Sequence, residues 1–346
     1  MIEVIQLTKY FGTKKAVDEI SFTVDKGEIL GFLGPNAAGK STTMRMLAGF
    51  IPPSGGTAVI GGNDIITDSL AARQKIGYLP ENAPAYPDMT VHGFLDFCAR
   101  IRGFCGIDRK RTIEDTLERC FLTTVRHQTI STLSKGYKQR VCFAQSIIHD
   151  PEYLILDEPT DGLDPNQKHE VRLMIRNMAA EKAIILSTHI LDEMDAVCTR
   201  AIIIADGRIV ADDTPDDLRK KSSVHGAVTL DIADANTGNL IACLKKVPGA
   251  KSVEILSSDD SLTRLRVFPE NKDQSIAENL LAALIEKRYS VRSIFVEQGR
   301  LDDVFRMITT QTVMDQDIAF KKAQLSERLR ALPEFRSQKP KKTEEI

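Results

Sequence analysis

An apolar segment, Leu30-Gly31-Phe32-Leu33, runs without a break into Gly34-Pro35-Asn36-Ala37-Ala38-Gly39-Lys40-Ser41-Thr42 and on into Thr43-Met44-Arg45-Met46-Leu47. Gly-x-x-x-x-Gly-Lys-Ser between a strand-like and a helix-like piece is a phosphate-binding loop. It commits the chain to a strand, a loop and a helix in that order, and so to an α/β core.

The chemistry asks for these residue types at this spacing. Backbone N–H groups of Asn36 to Ser41 must turn inward around phosphate oxygens, which Gly34 and Gly39 permit by accepting unusual dihedrals and close approach. The helix that begins near Lys40 aims its positive dipole end at the same anion. Lys40 then reaches the β- and γ-phosphates as a point charge, and the Ser41 hydroxyl is placed for Mg²⁺. The competing reading is a Gly-rich turn. By average residue usage, a chain of this length meets the bare pattern by accident on the order of one time in a hundred.

At 346 residues the chain has room for two ordinary domains. A formal net charge of −2 gives no support for nucleic acid as the main partner. The six cysteines, Cys98, Cys105, Cys120, Cys142, Cys198 and Cys243, form no C-x-x-C pair and read as reduced core thiols of a cytosolic protein. Met1-Ile2-Glu3-Val4 enters a strand-like segment directly, without the basic and apolar leader of a signal peptide. No apolar run approaches the roughly 18 to 20 residues needed to cross a bilayer. Any service to a membrane is therefore expected to pass through a partner.

Along the chain, Ile2–Ile5 and Ile20–Val24 alternate as strands, and Tyr10-Phe11-Gly12 presents two adjacent aromatics at a turn, open either to edge packing or to stacking on a base. Thr57–Ile60 and Lys75–Leu79 read as further strands. From Pro84 to Ile130 the pattern is helical: Thr90 suits an N-cap for Val91–Ile101, and Asp108 one for a helix with Ile113, Leu117, Cys120 and Phe121 on one face. Ser131 to Arg140 opens another helix, with Val141, Ala144, Gln145 and Ile148. Tyr153-Leu154-Ile155-Leu156 ends in Asp157-Glu158, and Ala183–Thr188 ends at His189. Polar residues at the carboxyl ends of buried strands stand where open α/β sheets bind ligands, although a helix cap or a packed histidine would give the same letters.

Together and in this order, these stretches resemble the ATP-binding subunit of an ABC transporter over residues 1 to about 220. The resemblance implies ATP and Mg²⁺ as cofactors and assigns roles by position. Phe11 corresponds to the aromatic that stacks on adenine, and Gly34 to Thr42 to the Walker A loop. Glu81, after Gly77-Tyr78-Leu79-Pro80, holds the Q-loop position, and Leu133–Arg140 the signature. Asp157 closes Walker B, Glu158 is the catalytic carboxylate, Gly162-Leu163-Asp164 the D-loop and His189 the switch histidine. Mg²⁺ would be held by Ser41, Asp157 and Glu81, and Ser134 and Gly136 would face the γ-phosphate of a second chain's ATP. Three positions depart from the usual pattern: Ala37 for Gly, Glu81 for Gln, and Leu133-Ser134-Lys135-Gly136-Tyr137 for Leu-Ser-Gly-Gly-Gln. The last two resemble the ABC-2 export branch, which includes gliding-motility and drug or polysaccharide exporter ATPases.

The resemblance implies a nucleotide-binding domain over 1–222, an α/β core with an antiparallel β subdomain and a helical subdomain at about 84–150. Segments at Ala227–Ile232, Leu240–Leu244, Lys251–Leu256 and Leu262–Phe268, a helix over Ser275–Lys287, and Ser290–Val296 suggest a ferredoxin-like α+β domain over 223–310. A charged tail, 311–346, contains Lys339-Pro340-Lys341-Lys342. The expected protein is an export ATPase, paired as a homodimer or with a paralogue, peripheral on the cytoplasmic face of the membrane and bound to an integral permease. A soluble ABC ATPase acting on ribosomes or DNA is the rival. Such proteins generally carry two nucleotide domains or a long coiled-coil insertion, and the sequence contains neither. A P-loop kinase or GTPase would lack the signature and D-loop matches. Lys40→Ala removes the mobile cation of the loop and should abolish ATP turnover in a phosphate-release assay; turnover at the wild-type rate would overturn the nucleotide assignment.

Overall fold

The computed structural model describes residues 1–82, 85–233, 237–259 and 261–308, so the expected tail at 311–346 lies outside the described residues. The described strands form three sheets. The central one has the order Arg208–Asp213, Arg200–Ala205, Ile29–Leu33, Ala183–Thr188, Tyr153–Asp157, Ile76–Leu79. Its strands pair in parallel except for the antiparallel edge pair of Arg208–Asp213 with Arg200–Ala205. Ile29–Leu33, Tyr153–Asp157 and Ala183–Thr188 are buried at every position, as strands covered on both faces must be.

Side chains alternate between the two faces with the strand period of two. Ile29, Leu33, Leu154, Leu156, Ile184 and Leu186 enter one core cluster with the helices Val91–Ile101, Gly106–Arg119, Lys135–Ile147 and Pro165–Ala179. Leu30, Phe32, Ile155, Ile185 and Ile202 enter the other, with Met44 and Leu47 of the loop helix and the antiparallel sheet Lys14–Val24, Ile2–Phe11, Gly55–Ile60, Asn63–Asp64. The sheet is thus held between a helical layer and a β layer, and its carboxyl edge is left to the phosphate loop.

Thr90 caps Val91–Ile101, its hydroxyl accepting the Gly93 N–H, as expected. Asp108 does not cap the next helix. That helix begins two residues earlier, at Gly106 behind Cys105, so Asp108 falls in its first turn, where a carboxylate still favours the dipole. Ile113, Leu117 and Cys120 are buried, but Phe121 sits past the helix end at φ +54° and is half exposed. All six cysteines are free; Cys120, Cys142 and Cys198 are buried, whereas Cys105 is exposed.

Beyond Lys220 the chain follows strand, helix, strand, strand, helix, strand, with sheet order Ala250–Ser258, Leu262–Pro269, Val228–Ala233, Ser290–Val296, antiparallel throughout. That is the ferredoxin-like arrangement. Leu240–Leu244 belongs to the helix Thr237–Leu244, which lays Leu240 and Leu244 on the sheet beside Leu280 and Leu284 of Ala277–Glu286. Residues 301–308 are helical and return to the first core cluster, which Leu301 joins with Phe305 and Ile308 packed against it. The Ser222 hydroxyl donates to Asp303 at 3.4 Å where the chain leaves and re-enters. Leu301→Ala should therefore lower the unfolding free energy by about 2 kcal/mol, read by urea denaturation; an unchanged midpoint would mean that 301–308 adds nothing to that core.

Candidate active site

The carboxyl ends of the parallel strands surround a cavity of about 620 Å³. Asn36, Ala37, Gly39, Lys40, Ser41 and Thr42 line it from the loop, joined by Phe11, Glu81, Glu158 and His189. Every one of these ten was legible in the sequence. Lys14, Ala16 and Asp161 also line it and carry no motif letter that would have singled them out.

The loop's shape follows from what its glycines approach. A Cβ on Gly34 would come within 2.5 Å of the Ile204 carbonyl, and one on Gly39, at φ +112°, within 2.6 Å of the Ala16 carbonyl. Ala37 occupies the left-handed region at φ +64°, so the loop carries a Cβ where the family's usual glycine would be unstrained; such a conformation costs an alanine on the order of 1 kcal/mol. Lys40, buried, donates to the Gly34 carbonyl at 2.7 Å and to the Pro35 carbonyl at 3.3 Å. Burial pushes its pKa down, opposed by Glu158, Asp157 and Glu81. Gly34, Pro35 and Ala38 build the loop without lining the cavity.

Asp157 is fully buried at the end of its strand. Its Oδ1 accepts the Ser187 hydroxyl at 2.5 Å and the Ser41 hydroxyl at 3.1 Å, while its Oδ2 is buried without a partner. Ser187 faces Asp157 because their strands pair in parallel with these two residues in register. Sequence reading missed Ser187, since nothing in the letters states which strands are neighbours. Its hydroxyl also accepts the N–H of Glu158 at 3.1 Å. Glu158 itself sits at φ +50°, an unfavoured conformation of the kind that collects at functional sites. Its Oε2 lies 2.8 Å from His189 Nδ1 and its Oε1 3.7 Å from Lys40 Nζ. Burial raises its pKa, and His189 and Lys40 only partly offset that.

Of the two aromatics at the first turn, Phe11 lines the cavity and Tyr10 does not. The Phe11 ring is half exposed, with Lys9 Nζ 5.4 Å from its centroid. Ser134, Gly136 and Asp164 lie outside this cavity. Ser134 caps Lys135–Ile147, Asp164 caps Pro165–Ala179 by accepting the Gln167 N–H at 2.9 Å, and a Cβ on Gly136 would collide with Gln167. Lys135, the departure in the signature, lies over Gly162 and pairs with Asp161 at 3.2 Å.

A phosphate loop meeting a buried aspartate and a glutamate–histidine pair around one cavity is how a P-loop ATPase is built. Within that class, the ABC transporter family profile matches residues 17–161. The linearmycin resistance ATP-binding protein LnrL of Bacillus subtilis is 29% identical over 316 residues, 91% of this chain and 100% of that protein. Nod factor export ATP-binding protein I of Paraburkholderia xenovorans is 37% identical over 215 residues, 62% of this chain and 71% of that protein. A solved ATP-binding subunit of an ABC transporter superposes with TM-score 0.59 at 30% identity, covering 64% of this chain and 92% of that one. The chain belongs to the ABC transporter ATP-binding family. It binds ATP and is an ATPase.

With its pKa raised by burial, Glu158 keeps its proton in the folded protein at pH values where the unfolded chain has lost it. The folded state then binds more protons than the unfolded one, so this group lowers stability as pH rises from the ordinary glutamate range through the folded pKa. Glu158→Gln should melt higher than wild type at neutral pH, the gap closing as pH falls below the glutamate range. A gap independent of pH, or of opposite sign, would contradict that environment.

Proposed function

We propose that the protein is the ATP-hydrolysing subunit of an exporter and energises a separate membrane-spanning permease through ATP-driven pairing of two nucleotide-binding domains. The observation that carries the mechanism is Glu158, bonded to His189 and 3.7 Å from Lys40 in the loop cavity. Glu158 orients or deprotonates the attacking water, His189 contacts the γ-phosphate, Lys40 and the loop amides of Asn36 to Thr42 hold the β- and γ-phosphates, and Phe11 stacks on adenine. Ser134 and Gly136 serve the ATP of the second chain across the pair, with Asp164 in the D-loop between them. Because these groups lie outside the chain's own cavity, each site needs both chains.

The residues present fit Mg²⁺. The partnerless Asp157 Oδ2 is a buried anionic oxygen, the Ser41 hydroxyl is bonded to the same carboxylate, and Glu81 lines the cavity. Ser41, Asp157 and Glu81 would hold the ion, a hard cation that takes oxygen donors and keeps several waters. When bound it neutralises charge on the phosphates. Everything else in the step is positioning and proton handling by residues of the two chains.

The accompanying domain scheme is 1–222 for nucleotide, with its helical part at about 84–150, and 223–310 as an accessory unit. Among the described residues no helix is long and apolar enough to cross a membrane. An apolar groove of about 500 Å³, lined by Leu70, Phe97 and Ile101 with Arg73 and Arg102, suits an amphipathic helix of the permease. Export is supported by the Nod factor export relative, and an exporter's ATPase would work at the cytoplasmic face of the cell membrane. The pair is a homodimer or forms with a paralogue.

Glu158→Gln keeps the shape and the ATP contacts but removes the charge, so the ATP-bound pair should accumulate. Sedimentation of this variant should move from monomer to dimer on adding ATP, and Ser134→Arg in both chains should block the shift. A monomer at saturating ATP, both alone and with the co-purified membrane partner, would refute ATP-driven pairing.

A further inference from the structure

We propose that Glu193 is the positioning residue for His189, acting through Thr188. Glu193 is four residues past His189, on the helix Leu191–Val197, and only 2% exposed. Its Oε2 accepts the Thr188 hydroxyl at 3.1 Å. Its Oε1 accepts from Lys168 Nζ at 2.9 Å and lies 3.9 Å from Arg172. The Thr188 hydroxyl in turn accepts the Ile190 N–H at 3.0 Å. One hydroxyl therefore fastens the residues on both sides of His189, and the buried carboxylate fixes which way that hydroxyl points.

The imidazole is 44% exposed, so packing does not hold it. Its direction toward Glu158 Oε2, 2.8 Å away, is set by the backbone of the turn, and that backbone is set by Thr188 and Glu193. A carboxylate is a poor choice for packing a short helix. Burying it has a desolvation cost that only good partners offset, and an apolar residue of similar volume often stabilises equally well or better. What the carboxylate adds is direction. Lys168 and Arg172, which pair with it, both stand on Pro165–Ala179, the helix capped by Asp164 of the D-loop, so the histidine turn is referenced to that helix.

This inference rests on the reading that His189 acts at the ATP. The experiment measures steady-state ATP turnover for Thr188→Val, Thr188→Ser, His189→Ala and the Thr188→Val/His189→Ala pair. Thr188→Val keeps the side-chain volume and removes the bridge. It should lower kcat by about 10- to 100-fold, the scale of a small misplacement in an active site, with KM for ATP unchanged. Thr188→Ser, which keeps the hydroxyl, should restore the rate. The double variant should be no slower than His189→Ala alone, since one residue acts through the other. If Thr188→Val does not fold, Glu193→Gln, which keeps an acceptor for Thr188 but turns an amide toward Lys168, takes its place with the same readouts. Losses that add in the double variant, or a Thr188→Val protein at the wild-type rate while His189→Ala is slow, would overturn the positioning role and leave the role of His189 intact. A wild-type rate in His189→Ala would overturn both.

Discussion

Asp157 is the point on which the site depends. A carboxylate with no exposed surface costs several kcal/mol to bury unless its oxygens are satisfied. One oxygen is satisfied by Ser187 and Ser41, which come from two different elements, and the other has no protein partner. The two hydroxyls reach it only because the Asp157 strand pairs with the Ala183–Thr188 strand, which in turn pairs with the strand feeding the phosphate loop. The register of three parallel strands thus decides where the loop serine, the aspartate and the histidine end up relative to one another.

The same burial acts with opposite sign on the two groups next door. It lowers the pKa of Lys40 and raises that of Glu158, disfavouring the charged form of each. Their 3.7 Å approach and the His189 contact work against it without cancelling it. A glutamate held in this balance holds its proton more readily than one in water, which suits a group proposed to take a proton during the reaction.

The helix Pro165–Ala179 connects this cavity to the signature. Gln167 packs on Gly136, Glu170 pairs with Arg140 of the signature helix, and Lys168 and Arg172 hold Glu193 behind the histidine turn. A displacement at the signature therefore has a route through side-chain contacts to the turn that carries His189. In the ferredoxin-like unit, Asp231 accepts from Arg264 and Ser293, and Arg266 from the adjacent strand reaches Glu297 at 3.1 Å. The partners of Asp231 lie on the strands either side of its own, Arg266 reaches past that strand to Glu297 just beyond Ser290–Val296, and together they lock the sheet's polar face.

The sequence by itself determined the loop, the strand ends and the residue types that carry the chemistry, because a phosphate cradle and a carboxylate after a buried strand leave local patterns that survive without tertiary context. It also determined the helix Val91–Ile101 and its Thr90 cap, since capping is an interaction over three residues. It misread the cap of the following helix, where Cys105 precedes a start that no side chain marks, and it left Leu240–Leu244 without a type because a short apolar run fits a buried strand or a helix equally. Tertiary structure alone decided that Ser187 completes Asp157, that Glu193 stands behind His189, and that residues 301–308 return to the first core. The first depends on which strands are neighbours and in what register, the other two on which helix lies against which turn or core, and such contacts join residues 30 to 170 positions apart in ways that no local pattern encodes.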